Sequence, residues 1–167
     1  AVLLVYMIMA SQFESLVDPL IIMFTVPLSI IGVFLFLLIT GTSINVMSLV
    51  GLVMLVGIAV NNGIVLVDYI NQLRAEGLEL YKAVEQGSIA RLRPVLMTAL
   101  TTVLGMVPLA IELGSGSETW SPLARSVIGG LLTTTVLTLV VIPILYILFE
   151  RMEEILKEKY RKVFKKA

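Results

Sequence analysis

From Pro19 to Val67 the chain carries no charged side chain. That stretch is too long for one membrane crossing, because about 20 helical residues already span a hydrocarbon layer roughly 30 Å thick. The polar cluster Thr40-Gly41-Thr42-Ser43-Ile44-Asn45 divides it. Two spans are expected, over 19–39 and 46–70. A third is expected over 94–112, between Arg93 and Glu112, and a fourth over 122–149, its apolar part lying between Arg125 and Glu150. In lipid such segments must be helical, since each backbone polar group needs an internal partner. Residues 1–12 open inside an apolar run too short to span, which reads as the end of a truncated transmembrane helix. The expected fold is an all-α polytopic transmembrane helix bundle, with four full spans, a partial first span and amphipathic cytoplasmic helices.

Composition narrows the chemistry. The chain is 58% hydrophobic and 14% charged, against about 45–50% and 25% in soluble domains. Twelve basic residues balance twelve acidic ones, so nucleic acid is not an expected partner. With no His and no Cys, zinc sites, thiol chemistry and His-based catalysis are excluded. There is no Gly-Lys-Ser/Thr phosphate loop. The expectation is a non-enzyme, with no catalytic residues, cofactor or resident metal.

Basic residues set the expected orientation. Arg74, Lys82, Arg91 and Arg93 occupy one connection, and seven Lys or Arg lie beyond Phe149, whereas the connections at 40–45 and 113–119 have none. The positive-inside rule makes the first two cytoplasmic, and the C-terminus with them. Residues 77–90 read as a cytoplasmic amphipathic helix. Residues 150–167 read as a basic amphipathic tail lying on the inner leaflet, with membrane lipids as its partner.

Polar groups at bilayer depth are costly and invite a functional reading. Asn61 and Asn62 lead these; Asn61 is roughly 12 Å of helix from Tyr69. Adjacent helical positions point about 100° apart, so the two amides serve different neighbours. Both fit equally well as hydrogen-bonding glue between helices. Asp68 is the one acid in its apolar stretch, placed to be an interfacial anchor or to pair with Arg74. Thr98, Thr101, Thr102 and Gly105 share a helix face, as a packing seam or a hydroxyl-lined path. Arg91 and Arg93 precede Pro94, an expected helix start. Gly57, Gly63, Gly129 and Gly130 are expected at close helix contacts.

The segments Gly-Ile-Ala-Val-Asn-Asn-Gly-Ile-Val-Leu-Val-Asp-Tyr (57–69), Arg-Leu-Arg-Pro-Val-Leu-Met-Thr (91–98), Gly-Met-Val-Pro-Leu-Ala (105–110) and Val-Ile-Gly-Gly-Leu (127–131) occur in that order. Together they resemble the C-terminal membrane half of resistance-nodulation-division transporters, in the hydrophobe/amphiphile efflux branch. The resemblance covers nearly the whole chain. It implies a proton-driven multidrug antiporter of the bacterial inner membrane. The partners it implies are the N-terminal half of the same pump, two further copies in a trimer, a periplasmic adaptor and an outer-membrane channel. It also implies a proton-coupling network, in which Arg91, Thr98 and Asn62 match family positions. Asp68 joins the network as a further candidate. Asn61 stands where many members have Lys, and it can hydrogen-bond but cannot switch ion pairing. Two other classes fit the bundle less closely: a Sec-type protein-translocation accessory subunit, and a non-transporting scaffold or lipid sensor.

Overall fold

The computed structural model describes the backbone from Val2 to Phe164 and side chains from Leu3 to Met152. Among the described residues there are six helices: α1 (Val2–Phe13), α2 (Val17–Met23), α3 (Thr25–Ile39), α4 (Val46–Ala75), α5 (Leu80–Ala110) and α6 (Ser117–Phe164). No strand occurs among the described residues. Among the described residues four spans are long and apolar enough to cross a membrane: Val17–Ile39, Val46–Ala75, Leu80–Ala110 and Ser117–Met152.

The first span is two helices in series rather than one. Pro27 has no N–H to return to the Met23 carbonyl, and the Phe24 N–H turns instead to the Ile21 carbonyl at 3.2 Å. Each of the next connections is closed by the same device. Gly41, Gly77 and Glu112 adopt positive φ, and the N–H of the following residue reaches back to the carbonyls of Leu37, Leu73 and Pro108. This is the Schellman closure, and Glu112 is the only non-glycine of the three to use it. Asn45 starts α4 by reciprocal bonds with Ser48, each 2.9 Å. Replacing Asn45 with Ala should cost about 1 kcal/mol in a melting experiment, with Asn45→Asp close to neutral.

Two expected boundaries are corrected. The separate helices over 77–90 and 94–112 are one helix, α5, which runs through Pro94. Its 31 residues extend about 46 Å, well beyond the hydrocarbon layer. Ala90, whose carbonyl Pro94 leaves without a helical partner, is exposed in this chain, so the carbonyl is open to water or to a neighbouring group. Likewise the expected tail helix is a direct continuation of the last span to Phe164 rather than a separate element. Its amphipathic face lies beyond the described side chains.

α6 is the central helix and packs on α3, α4 and α5. It runs parallel to α4: Leu55 meets Gly130, and Asn71 meets Tyr146 at the same offset. It is antiparallel to α3, where Phe36 meets Gly129 and Gly32 meets Thr133. It is also antiparallel to α5, where the Ser121 hydroxyl donates to the Ala110 carbonyl at 3.2 Å. The main core gathers Met9, Ile21, Ile22, Val60, Leu66, Val67, Ile70, Ile142 and Tyr146 at the end that carries Arg74 and Arg91.

Candidate functional site

Helices α4 and α5 meet at a cation–π contact. The Arg91 guanidinium lies 4.8 Å from the centroid of the Tyr69 ring. Its Nε is buried and finds no acceptor. Because α4 and α5 run in opposite directions, two turns outward from this contact bring Asn62 and Thr98 to the same level, about 10 Å from it. Asn62 is half-buried, and Thr98 is exposed on the surface of this chain. The Thr98 hydroxyl returns to the Val95 carbonyl at 3.0 Å, while Thr101 and Thr102 return to Met97 and Thr98, each at 2.8 Å.

Asn61 is exposed and points elsewhere, as adjacent helical positions must. It lines a groove of about 440 Å³ between α1, α3 and α4, walled otherwise by Val5, Val26, Ile30, Val56, Gly57 and other apolar residues. Asn61 is the only lining residue with a polar side chain.

Asp68 does not pair with Arg74. Its carboxylate accepts from the Gln72 amide at 2.9 Å, and it is exposed. Arg74 pairs with Glu150 of α6 at 3.6 Å. The expected packing glycines divide. A methyl added at Gly63, Gly129 or Gly130 would meet side chains of other helices at 3.0, 2.0 and 1.9 Å. At Gly57 and Gly105 it would meet nothing in this chain. The face of α5 bearing Thr98, Thr101 and Gly105 is therefore open here, and α5 packs through Val95, Ala99 and Ala110 instead.

Two polar clusters escaped the reading of the sequence. At the basic end Asn71 bridges three helices. Its amide donates to Asp18 of α2 at 3.0 Å, and its carbonyl accepts from Tyr146 of α6 at 2.5 Å. Arg74 and Glu150 stand in the electrostatic reach of the same hydroxyl. The signal was present in sequence as Asn71 and Arg74 one turn apart, and Tyr146 and Glu150 one turn apart. Removing one bond of the cluster, as in Tyr146→Phe, should lower stability by about 1 kcal/mol, measured as a melting shift in detergent. At the opposite end Arg125 holds three groups at once. Its Nε, Nη1 and Nη2 donate to the Ala110 carbonyl at 3.0 Å, the Thr42 hydroxyl at 2.9 Å and the Glu112 carboxylate at 2.8 Å. A lone basic residue in a region otherwise free of Lys and Arg was the available clue.

The fold and site define a class: a multi-pass helical membrane segment, with amides and hydroxyls within its apolar helices and an arginine at their basic end. Residues 1–150 match the AcrB/AcrD/AcrF family, and the chain belongs to that family of resistance-nodulation-division transporters. It is 45% identical over 154 residues to the cobalt-zinc-cadmium resistance protein CzcA of Cupriavidus metallidurans, covering 92% of this chain and 14% of that protein. The same figures hold for the cation efflux system protein CzcA of Alcaligenes sp. (strain CT14). A crystal structure of a heavy metal efflux pump superposes with a TM-score of 0.81 at 40% identity, covering 90% of this chain and 14% of that one. A second crystal form gives 0.78 at 39%. The chain thus spans 14% of the length of these relatives. They are metal-efflux proteins, so the amphiphile branch expected from the motifs is not supported, and the protein-translocation alternative is not favoured.

Proposed function

We propose that this chain forms the C-terminal membrane part of a proton-driven efflux pump for heavy-metal cations. The observation that carries the coupling role is the open polar face of α4 and α5. Arg91 sits at its basic end with an unanswered buried N–H, and Asn62 and Thr98 lie level with each other further in. Exposed polar groups at membrane depth are unfavourable against lipid, so this face suits contact with another part of the pump. A carboxylate there would accept from Arg91, and its protonation would release Arg91, Asn62 and Thr98 to other partners. That exchange is the two-state element through which proton binding moves the helices. Asn61 acts through the separate groove beside α3.

The metal class rests on the relatives, whose names specify cobalt, zinc and cadmium or a cation. The chain itself has no His or Cys, and among its described residues no cluster of three carboxylates could hold a metal. Its part is therefore coupling, while cargo selection belongs to other regions of the pump. The full assembly on this reading is a trimer, with the C-terminus of this chain cytoplasmic, joined to a periplasmic adaptor and an outer-membrane channel.

The test is transport by the intact protein in proteoliposomes. Zn²⁺ should move only when a pH gradient is imposed, and an amphiphilic dye should not move. Dye transport without Zn²⁺ transport would restore the amphiphile branch. In the same assay Asn61→Leu and Thr98→Val should each slow Zn²⁺ movement about tenfold with trimer assembly intact, the loss of roughly one hydrogen bond in the rate-limiting state. Wild-type rates in both variants would remove these residues from the coupling scheme.

A further inference from the structure

Most hydroxyls in the bundle satisfy themselves on the preceding turn of the chain. Thr25, Ser29, Thr98, Thr102 and Ser126 each donate to a carbonyl three or four residues earlier, at 2.7 to 3.0 Å. Three on α6 do not. The hydroxyls of Thr134, Thr135 and Thr138 are buried, with 2%, 4% and 2% of each residue exposed, and no protein group answers them. A buried hydroxyl without a partner costs about 1–3 kcal/mol, so three within two turns of one helix require an account.

Their position supplies it. One turn from the Leu55–Gly130 contact toward the basic end, the parallel run of α4 and α6 sets Ala59 beside Thr134. The next turn, by the same offset, brings Asn62 and Gly63 to the level of Thr138; the groups nearest Gly63 itself are Ile22, Ile142 and Thr25. Ser29 of α3, one turn from the Gly32–Thr133 contact, lies at the same level. So does Thr98 of α5. Four helices thus carry uncharged polar residues at a single level of the bundle. Buried small residues stand at this level on α4 and α5: Ala59, Gly63 and Ala99.

We propose that Thr134, Thr135 and Thr138 form an internal water-binding site at the centre of the bundle, behind the face that carries Asn62 and Thr98. The occupant must both donate and accept, since each hydroxyl can do either. It must also be neutral, because Ser29, Asn62, Thr98 and the three threonines carry no charge, and the nearest acid on α4, Asp68, lies toward the basic end. It must be small, given the close packing of α6. Water meets all three conditions and bridges two to four buried polar groups in such places. The site does not depend on which substrate the pump carries.

Radiolytic hydroxyl labelling of the intact protein tests this, because a bound water activated in place modifies side chains that bulk solvent cannot reach. Leu131, 1% exposed and one turn from Thr134 and Thr135, is the reporter; Ile70, 0% exposed and in the core near Gly87, is the dry reference. Leu131 should label about threefold faster than Ile70 in the wild-type protein, as expected beside ordered water. In the isosteric variant Thr134→Val/Thr135→Val/Thr138→Val its rate should fall to that of Ile70. Equal slow labelling of both residues in the wild type would overturn the proposal, and needs no variant to fold. An undiminished Leu131 rate in the triple variant would place the water elsewhere and overturn it equally.

Discussion

Gly129→Val should be the most damaging single substitution in this chain, lowering stability by about 3 kcal/mol, with much of the protein lost to aggregation on solubilisation. A methyl built on Gly129 falls 2.0 Å from Cβ of Phe36 and 2.5 Å from its ring. The Cβ of Phe36 cannot rotate away, so relief requires α3 and α6 to separate. Neighbouring Gly130 differs in kind. Its added methyl would fall 1.9 Å from a terminal methyl of Leu55, which can turn, although Val33 waits 2.8 Å away. Gly130→Ala should therefore cost less than Gly129→Ala, about 1 against 2 kcal/mol. Gly105→Ala is the control: it meets nothing in this chain and should hold or gain up to about 1 kcal/mol from helix propensity. Fluorescence-monitored melting of the detergent-solubilised protein ranks the three. An equal loss at Gly105 and Gly129 would contradict the packing described.

Arg125→Ala is expected to cost nearly as much, about 3 kcal/mol, for an electrostatic reason. The guanidinium ties the end of α5, the α3–α4 connection and the α5–α6 connection into one point. Ala110, the last residue of α5, offers a carbonyl at the negative end of the helix dipole, where a cation is favoured. Glu112 holds a left-handed backbone conformation at φ 63°, which costs about 1 kcal/mol for a residue with a Cβ. The 2.8 Å ion pair to Arg125 helps offset that strain. Arg125→Lys should recover under half of the loss, because an ammonium on a flexible stem cannot reach three fixed acceptors as the planar fork does. Glu112→Gln, which keeps shape but removes charge, should cost under about 1 kcal/mol and become milder at high salt, the pair being partly exposed. If Arg125→Lys melted with the wild type, charge alone would explain the site and the fork geometry would be irrelevant.

Both residues show where reading the sequence stopped. Gly129, Gly130, Gly63, Gly57 and Gly105 look alike as glycines in apolar helices. Only the helix that lies opposite decides that the first three are contacts and the last two are not, within this chain. Asp68 and Arg74 are close in sequence and of opposite charge, yet their side chains leave α4 in different directions: Arg74 meets Glu150 and Asp68 meets Gln72. Asn71, the hub of the basic-end cluster, offered only its one-turn spacing from Arg74, because its partners are 53 and 75 residues away. The residues proposed for coupling fare between these cases. Asn62, Arg91 and Thr98 were visible as costly groups in an apolar context, and their common frame on α4 and α5 came from the Arg91–Tyr69 contact. The three unanswered threonines of α6 were passed over, since Thr in a membrane helix ordinarily bonds its own backbone.

What the order of residues determined unaided was the class: apolar runs long enough to cross a bilayer leave a backbone no option but the helix, and the motifs within them carry the family. What the tertiary structure alone decided was partnership. Helical period says which side chains share a face, but the direction of each helix and its offset against α6 choose what that face touches. Those two quantities arise from packing among distant segments, and no local stretch of this chain contains them.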